Sequence, residues 1–192
     1  MTIAGALLSD SGCLFGVDSL VTAGNLRLRS THSKWVTRGR MVAVSSGFTF
    51  NSIFLRDGIE AVGLTANNFS GKMVRKLSAY IQDRFLSAGV QPENGQPNLP
   101  IEALITNGRE MYELGGYLEP EPIRGITFIG SGAVLAYGAY WGAVGLRHDE
   151  ETAFRSALVI AAKHDTTCGP PISLWNVSAS GARLQKPEVL EW

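Results

Sequence analysis

The order of hydrophobic periods along the chain limits its fold more than any single motif does. Apolar residues run almost continuously through positions 2–8 and again through 13–18. Ser9-Asp10-Ser11-Gly12 joins the two runs with small polar residues and a glycine, which signals a hairpin. Lys34-Trp35-Val36-Thr37 and Met41-Val42-Ala43-Val44 flank Arg38-Gly39-Arg40 as a second hairpin. Four short strands before Gly47 predict an antiparallel start. After Gly47 the apolar spacing becomes helical. A less regular helix lies between Phe50 and Val62, interrupted or ended near Gly58. A second helix, capped by Ser70, runs to about Ala88 with Val74, Leu77, Ile81, Phe85 and Ala88 on one face. Lys72, Arg75, Lys76 and Asp83 point mostly elsewhere.

The second half repeats that order. Residues 91–100 read as a loop by composition. Strands follow at 101–106, 110–114 and 123–129, with Asn107-Gly108 as a strong turn signal between the first two. Gly130-Ser131-Gly132 opens a helix rich in alanine and glycine that runs to about Leu146. Asp149 begins the last helix, where Glu150 and Glu151 suit the helix dipole and Phe154, Ala157, Leu158, Ala161 and Ala162 form the apolar face. Strands at 172–177 and 183–185 close the chain. The expected class is α+β, with two sheets stacked face to face and helices outside. No internal repeat of 20–50 residues is evident. The loop at 91–100 is too short to divide domains, so 1–192 is expected to form one domain.

Composition removes several functions. The chain has 192 residues, 45% hydrophobic and 18% charged, with zero formal net charge. No basic surplus points to nucleic acid, and no block of like charge reads as a tail. Cys13 and Cys168 stand alone and far apart, which suggests neither a disulfide framework nor zinc spacing. His32, His148 and His164 are scattered, so neither metal nor cofactor is expected. Gly130-Ser131-Gly132 lacks the longer spacing of a phosphate loop. No apolar run reaches the roughly 18 residues of a membrane span, and the start lacks a signal-like segment. A cytoplasmic protein without membrane contact is expected.

The chemistry begins at Thr2. Threonine is small enough for methionine aminopeptidase to remove Met1, which leaves a free α-amino group. A hydroxyl is a poor nucleophile near neutrality unless a base takes its proton, and an α-amine with a reference pKa of about 8 can be that base. Asp18 ends the second apolar run, where a hairpin can bring it beside Thr2. Lys34 adds a cation at the next strand, and an ammonium close to a hydroxyl favours the alkoxide. Each residue alone has a bland structural explanation; the three together form a recognisable spacing.

With those residues in place, the sequence resembles the proteasome β-subunit and HslV group of N-terminal nucleophile hydrolases, including their smaller bacterial homologues. In that group a mature N-terminal Thr is followed by a catalytic Asp after one hairpin and a Lys on the next strand, matched here by Thr2, Asp18 and Lys34. The stretch from Gly16 to Gly24 resembles the family's segment after its second strand. Ser45-Ser46-Gly47 occupies its oxyanion-hole turn. Ile129-Gly130-Ser131-Gly132 resembles its Gly-Ser-Gly motif, and Asp165-Thr166-Thr167-Cys168-Gly169 follows the last long helix where the family carries Asp and then Ser. Position 168 is Cys instead, so the corresponding hydrogen bond is expected to be weak or absent.

The resemblance implies a four-layer αββα sandwich and stacked homo-oligomeric rings around a proteolytic chamber. It implies a threonine endopeptidase acting on peptides or unfolded proteins, with an ATPase unfoldase needed for folded substrates. Thr2, Asp18, Lys34, Ser131 and Asp165 would be the catalytic set, and Ser46 and Gly47 the oxyanion hole. Met1-Thr2-Ile3 can also align with a family Thr-Thr-Ile, which places Met1 at the nucleophile position. Two alternatives therefore stand beside the peptidase: an inactive ring-forming subunit that retains Met1, and a small-substrate amidase using the same nucleophile.

Overall fold

The computed structural model describes residues 2–23, 26–29, 33–47, 49–90, 100–116, 119–180, 184 and 186–190. The first predicted hairpin is β1 (Ala4–Ser9) and β2 (Gly12–Asp18), paired from Ala4 opposite Val17 to Ser9 opposite Gly12. A small separate hairpin, β3 (Leu20–Ala23) and β4 (Leu26–Arg29), comes next. It was absent from the sequence expectation because four-residue strands are too short to show a period. The second predicted hairpin is β5 (Trp35–Arg38) and β6 (Met41–Gly47).

Two helices follow, α1 (Thr49–Ala61) and α2 (Gly71–Ser87). Gly58 does not end α1 as expected. It lies where the two helices cross, and a Cβ there would come within 2.6 Å of Leu77 and 3.0 Å of Tyr80. Val74, Leu77, Ile81 and Phe85 form the buried face of α2. Ala88 departs from that expectation: it is the exposed C-cap, past the last helical turn.

The later strands are β7 (Ile101–Thr106), β8 (Met111–Leu114), β9 (Pro120–Pro122) and β10 (Ile126–Ile129). The strand expected at 123–129 is thus shorter, and β9 precedes it. Pro120 and Pro122 hide β9 from pattern reading, yet proline is tolerated at a sheet edge, which is where β9 sits. Helices α3 (Ala133–Gly145) and α4 (Glu150–His164) come before β11 (Ile172–Ser178) and the unpredicted β12 (Glu188–Leu190). Asp149 caps α4 through Thr152 N–H at 2.9 Å. The expected loop at 91–99 and the ends of the expected strand 183–185 lie outside the described residues.

The strands form two five-stranded antiparallel sheets, ordered β10-β1-β2-β11-β12 and β5-β6-β7-β8-β9. Side-chain alternation on each strand divides the apolar residues among three cores. Leu14 of β2 packs with Phe154, Leu158 and Ala161 of α4, whereas Cys13, Phe15 and Val17 face the other sheet. On β6, Met41 and Ala43 pack with α1 and α2, while Val42 and Val44 face inward. Strands buried on both faces lose polar alternation, so their apolar runs read as continuous. The layers are α1 and α2, the second sheet, the first sheet, then α3 and α4: the expected αββα sandwich. Trp35 and Trp175 meet edge-on between the sheets with ring centroids 5.3 Å apart. Among the described residues no helix is long and apolar enough to cross a membrane.

Phe154 is fully buried and stacks on Phe128 at a centroid distance of 5.7 Å, whereas Val134 is 82% exposed. Phe154→Ala is expected to cost about 3–5 kcal/mol of stability, and Val134→Ala no more than about 0.5 kcal/mol. Urea unfolding checks the pair; equal losses would contradict the layered core.

Candidate active site

Antiparallel pairing brings the sequence-predicted residues to one end of the sandwich. In the first sheet, the start of β1, the end of β2, the end of β10 and the start of β11 are neighbours, with Ala4 opposite both Ile129 and Val17 and Ile172 opposite Asp18. In the second sheet, the start of β5, the end of β6 and the start of β7 share one end, with Gly47 opposite Ile101. Thr2, Asp18, Lys34, Ser46, Gly47 and the Gly130–Gly132 turn sit on these strand ends or beside them.

Asp18 is the hub. Its side chain is 0% exposed, and its Oδ1 accepts from Lys34 Nζ at 2.7 Å and from Ile3 N–H at 3.1 Å. Oδ2 accepts from Gly169 N–H at 3.0 Å and Leu20 N–H at 3.3 Å. Burial pushes the Asp18 carboxyl up, while the Lys34 ammonium and the Gly169 and Ile3 N–H groups oppose that rise. Lys34 is 11% exposed at its side chain, so both members of the ion pair are largely desolvated. Removing two charges from water costs several kcal/mol per ion, and only a fully hydrogen-bonded geometry offsets it. Here four donors converge on one carboxylate.

Thr2 is 1% exposed. Its carbonyl accepts from Gly132 N–H at 3.4 Å. Gly130 has φ +89°, and a Cβ on it would collide with the Thr2 carbonyl oxygen. Glycine is required there on both counts. Ser131 Oγ lies 2.8 Å from Thr167 Oγ1 and 3.6 Å from Cys168 Sγ. The contact expected to weaken with Cys at 168 is therefore present as a long sulfur contact. Asp165 Oδ1 accepts from Thr167 N–H at 2.7 Å and Thr167 Oγ1 at 2.6 Å. Burial alone would raise the Asp165 carboxyl, but the Thr167 bonds, with smaller help from Ser131 and Cys168, hold it below its usual range.

The turn expected to form the oxyanion hole ends β6. Gly47 has φ +91° and Ser46 is buried. Asn51, fully buried in α1, donates from Nδ2 to the carbonyls of Ser46 and Pro100, both at 2.7 Å. Its Oδ1 has no partner among the described residues. Glu102 Oε2 accepts from Ser46 Oγ at 3.1 Å and Gly130 N–H at 2.9 Å.

Sequence reasoning missed Asn51, Glu102, Thr167 and Gly169. Asn51 and Glu102 sit in helix and strand patterns with no motif of their own. Thr167 and Gly169 lie within the segment quoted for Asp165, and only the fold shows that they bond. Burial pushes the thiols of Cys13 and Cys168 up to about 12, which disfavours their thiolate forms. His148 and His164 are exposed; His32 and Met1 lie outside the described residues. Among the described residues no cluster of His, Cys, Asp and Glu could hold a metal ion.

Asp18→Asn removes the anionic partner of Lys34 and turns an acceptor into a donor facing other donors. It is expected to destabilise the fold by about 3–5 kcal/mol, measured by chemical unfolding at neutral pH; a near-neutral result would contradict the hub. A carboxyl held low in the folded state contributes stability above its unfolded pKa of about 3.9, and the contribution fades as pH falls through the depressed folded value. The stability difference between wild type and Asp165→Asn should therefore shrink below about pH 4. A pH-independent difference would exclude that linkage.

No protein-family model matches the chain, and no curated protein matches it in sequence. Solved structures do match in three dimensions. Thiobacillus denitrificans BPH is similar at a TM-score of 0.77 and 17% identity, covering 92% of this chain and 99% of the other. The same protein in complex with epoxomicin gives 0.76 and 16%, with the same coverage. Eukaryotic HslV from Trypanosoma brucei gives 0.67 and 19%, covering 90% and 97%. At this identity the likeness is one of fold, and it spans almost the whole chain. Two antiparallel five-stranded sheets between two helix pairs give this chain the four-layer αββα fold shared with BPH and HslV.

Proposed function

We propose that the chain is a threonine-type peptidase subunit of a proteasome-like ring, hydrolysing peptide bonds through Thr2 once Met1 is removed. The observation that carries the proposal is the buried Asp18–Lys34 pair, hydrogen-bonded through Asp18 Oδ1 to the amide of the residue after Thr2. Removing Met1 converts the Thr2 nitrogen from an amide, which cannot act as a base, to an amine. That amine takes the proton from Thr2 Oγ1 as the oxygen attacks the scissile carbonyl. The oxyanion is stabilised by N–H groups of the Ser46-Gly47 turn. Collapse of the tetrahedral intermediate breaks the C–N bond, and the leaving amine collects the proton from the Thr2 ammonium. Water, deprotonated by the same amine, then attacks the ester, releasing the acid and restoring Thr2.

Lys34 favours the Thr2 alkoxide and disfavours a protonated α-amine; Asp18 holds Lys34 in place. Ser131 and Asp165 organise the amino terminus. On α3 and its C-cap, Val134, Trp141 and Leu146 are 82%, 57% and 77% exposed, which supports burial of that helix against other copies in an assembly. An inactive ring subunit retaining Met1 is the second reading, favoured by the 1% exposure of Thr2.

Intact mass separates the two. The peptidase requires a species lighter by one methionine, and full retention of Met1 would exclude the Thr2 mechanism. Thr2→Ala should lower peptide turnover by at least about a thousandfold, while Ser9→Ala, in the distant hairpin turn, should leave it unchanged. Turnover of small amides without peptide cleavage would indicate the amidase instead. The base must be unprotonated, so kcat/KM should rise with pH through an apparent pKa at or below about 8.

A further inference from the structure

Glu102 sits opposite Ser46 in the β6–β7 ladder, on the second sheet. One of its oxygens, Oε2, accepts both the Ser46 hydroxyl at 3.1 Å and, across the sandwich, the Gly130 N–H at 2.9 Å. Gly130 follows β10 on the first sheet and packs directly on the Thr2 carbonyl, while Gly132 N–H bonds that same carbonyl. Ser46 precedes Gly47 in the oxyanion turn. The two turns also touch, since a Cβ on Gly130 would lie 3.5 Å from Ser46 Cβ. The halves of the candidate site thus belong to different sheets, and a single carboxylate oxygen bonds to both.

We infer that Glu102 is a positioning residue, setting the separation between the oxyanion turn and the turn that cradles Thr2. The role rests on the peptidase reading of the site. Both groups facing Oε2 are donors, so the position calls for an acceptor that takes two hydrogen bonds. A carboxylate or an amide carbonyl meets that demand; a methyl group does not. Misplacing reacting groups by about 1 Å costs on the order of a hundredfold in rate without weakening ground-state binding in proportion. Glu113 supplies an internal control. It also bridges the sheets, accepting from Thr127 Oγ1 at 3.0 Å, but it bonds to neither turn.

Glu102→Ala, Glu102→Gln and Glu113→Ala should be compared with wild type by steady-state peptide cleavage and by amide hydrogen exchange of residues 130–132. Glu102→Ala is expected to lower kcat about ten- to hundredfold with KM within about threefold, and to speed exchange at the Gly130 amide. Glu102→Gln should recover kcat to within about fivefold of wild type, and Glu113→Ala should change neither readout. Unchanged exchange in Glu102→Ala, or faster exchange at undiminished kcat, would overturn the inference. So would an equal kcat loss in Glu113→Ala, which would reduce the effect to general sheet bridging. If the wild type neither cleaves peptides nor is labelled by epoxomicin, the peptidase reading fails; the exchange comparison then decides by itself whether Glu102 holds the turn.

Discussion

The Asp18 carboxylate holds together parts of the molecule that the chain keeps far apart. It gathers Lys34 from the second sheet, Ile3 at the start of β1, Leu20 at the start of β3 and Gly169 between α4 and β11. A carboxylate taken wholly out of water is costly, and the cost makes the arrangement cooperative: losing one donor leaves the remaining charge less well compensated. The junction between the sheets is therefore under tight geometric control at the end of the sandwich where Thr2 lies.

The architecture explains why polar groups gather at that end. A sandwich of two antiparallel sheets has apolar side chains between its layers, but strand ends carry turns, free backbone groups and small residues. Gly47 and Gly130 bring main chain close to main chain, where a Cβ would collide with the Pro100 and Thr2 carbonyls, and a Cβ on Gly132 would press on the side chains of Ile3 and Cys168. The interior behind them is closed by Phe15, Trp35 and Trp175. A rigid apolar support beneath a dense set of polar contacts is the arrangement that pre-organisation requires.

Much of this was legible in the sequence. The α2 and α4 faces follow from helical spacing, and the β1–β2 hairpin from its turn residues. Thr2 and Asp18 could be grouped because one hairpin relates them locally; Lys34 joined them only through the spacing of the family that the sequence resembles. What escaped notice had physical causes. The strands β3, β4, β9 and β12 are too short or too rich in proline to show alternation. Gly58 looked like a helix end because a helix crossing and a helix terminus both call for glycine. Asn51 and Glu102 are ordinary polar residues until the fold sets carbonyls and N–H groups around them.

The sequence by itself determined the order of the helices and longer strands, the apolar faces and the residue types at the candidate site, because these depend on periods of two and 3.6 residues and on local turn chemistry. Only the tertiary structure decided which polar groups meet. The bonds from Gly169 to Asp18 and from Gly130 to Glu102 join residues 151 and 28 positions apart. No local pattern encodes them, since they arise when the ends of two sheets are brought into register by the burial of everything between them.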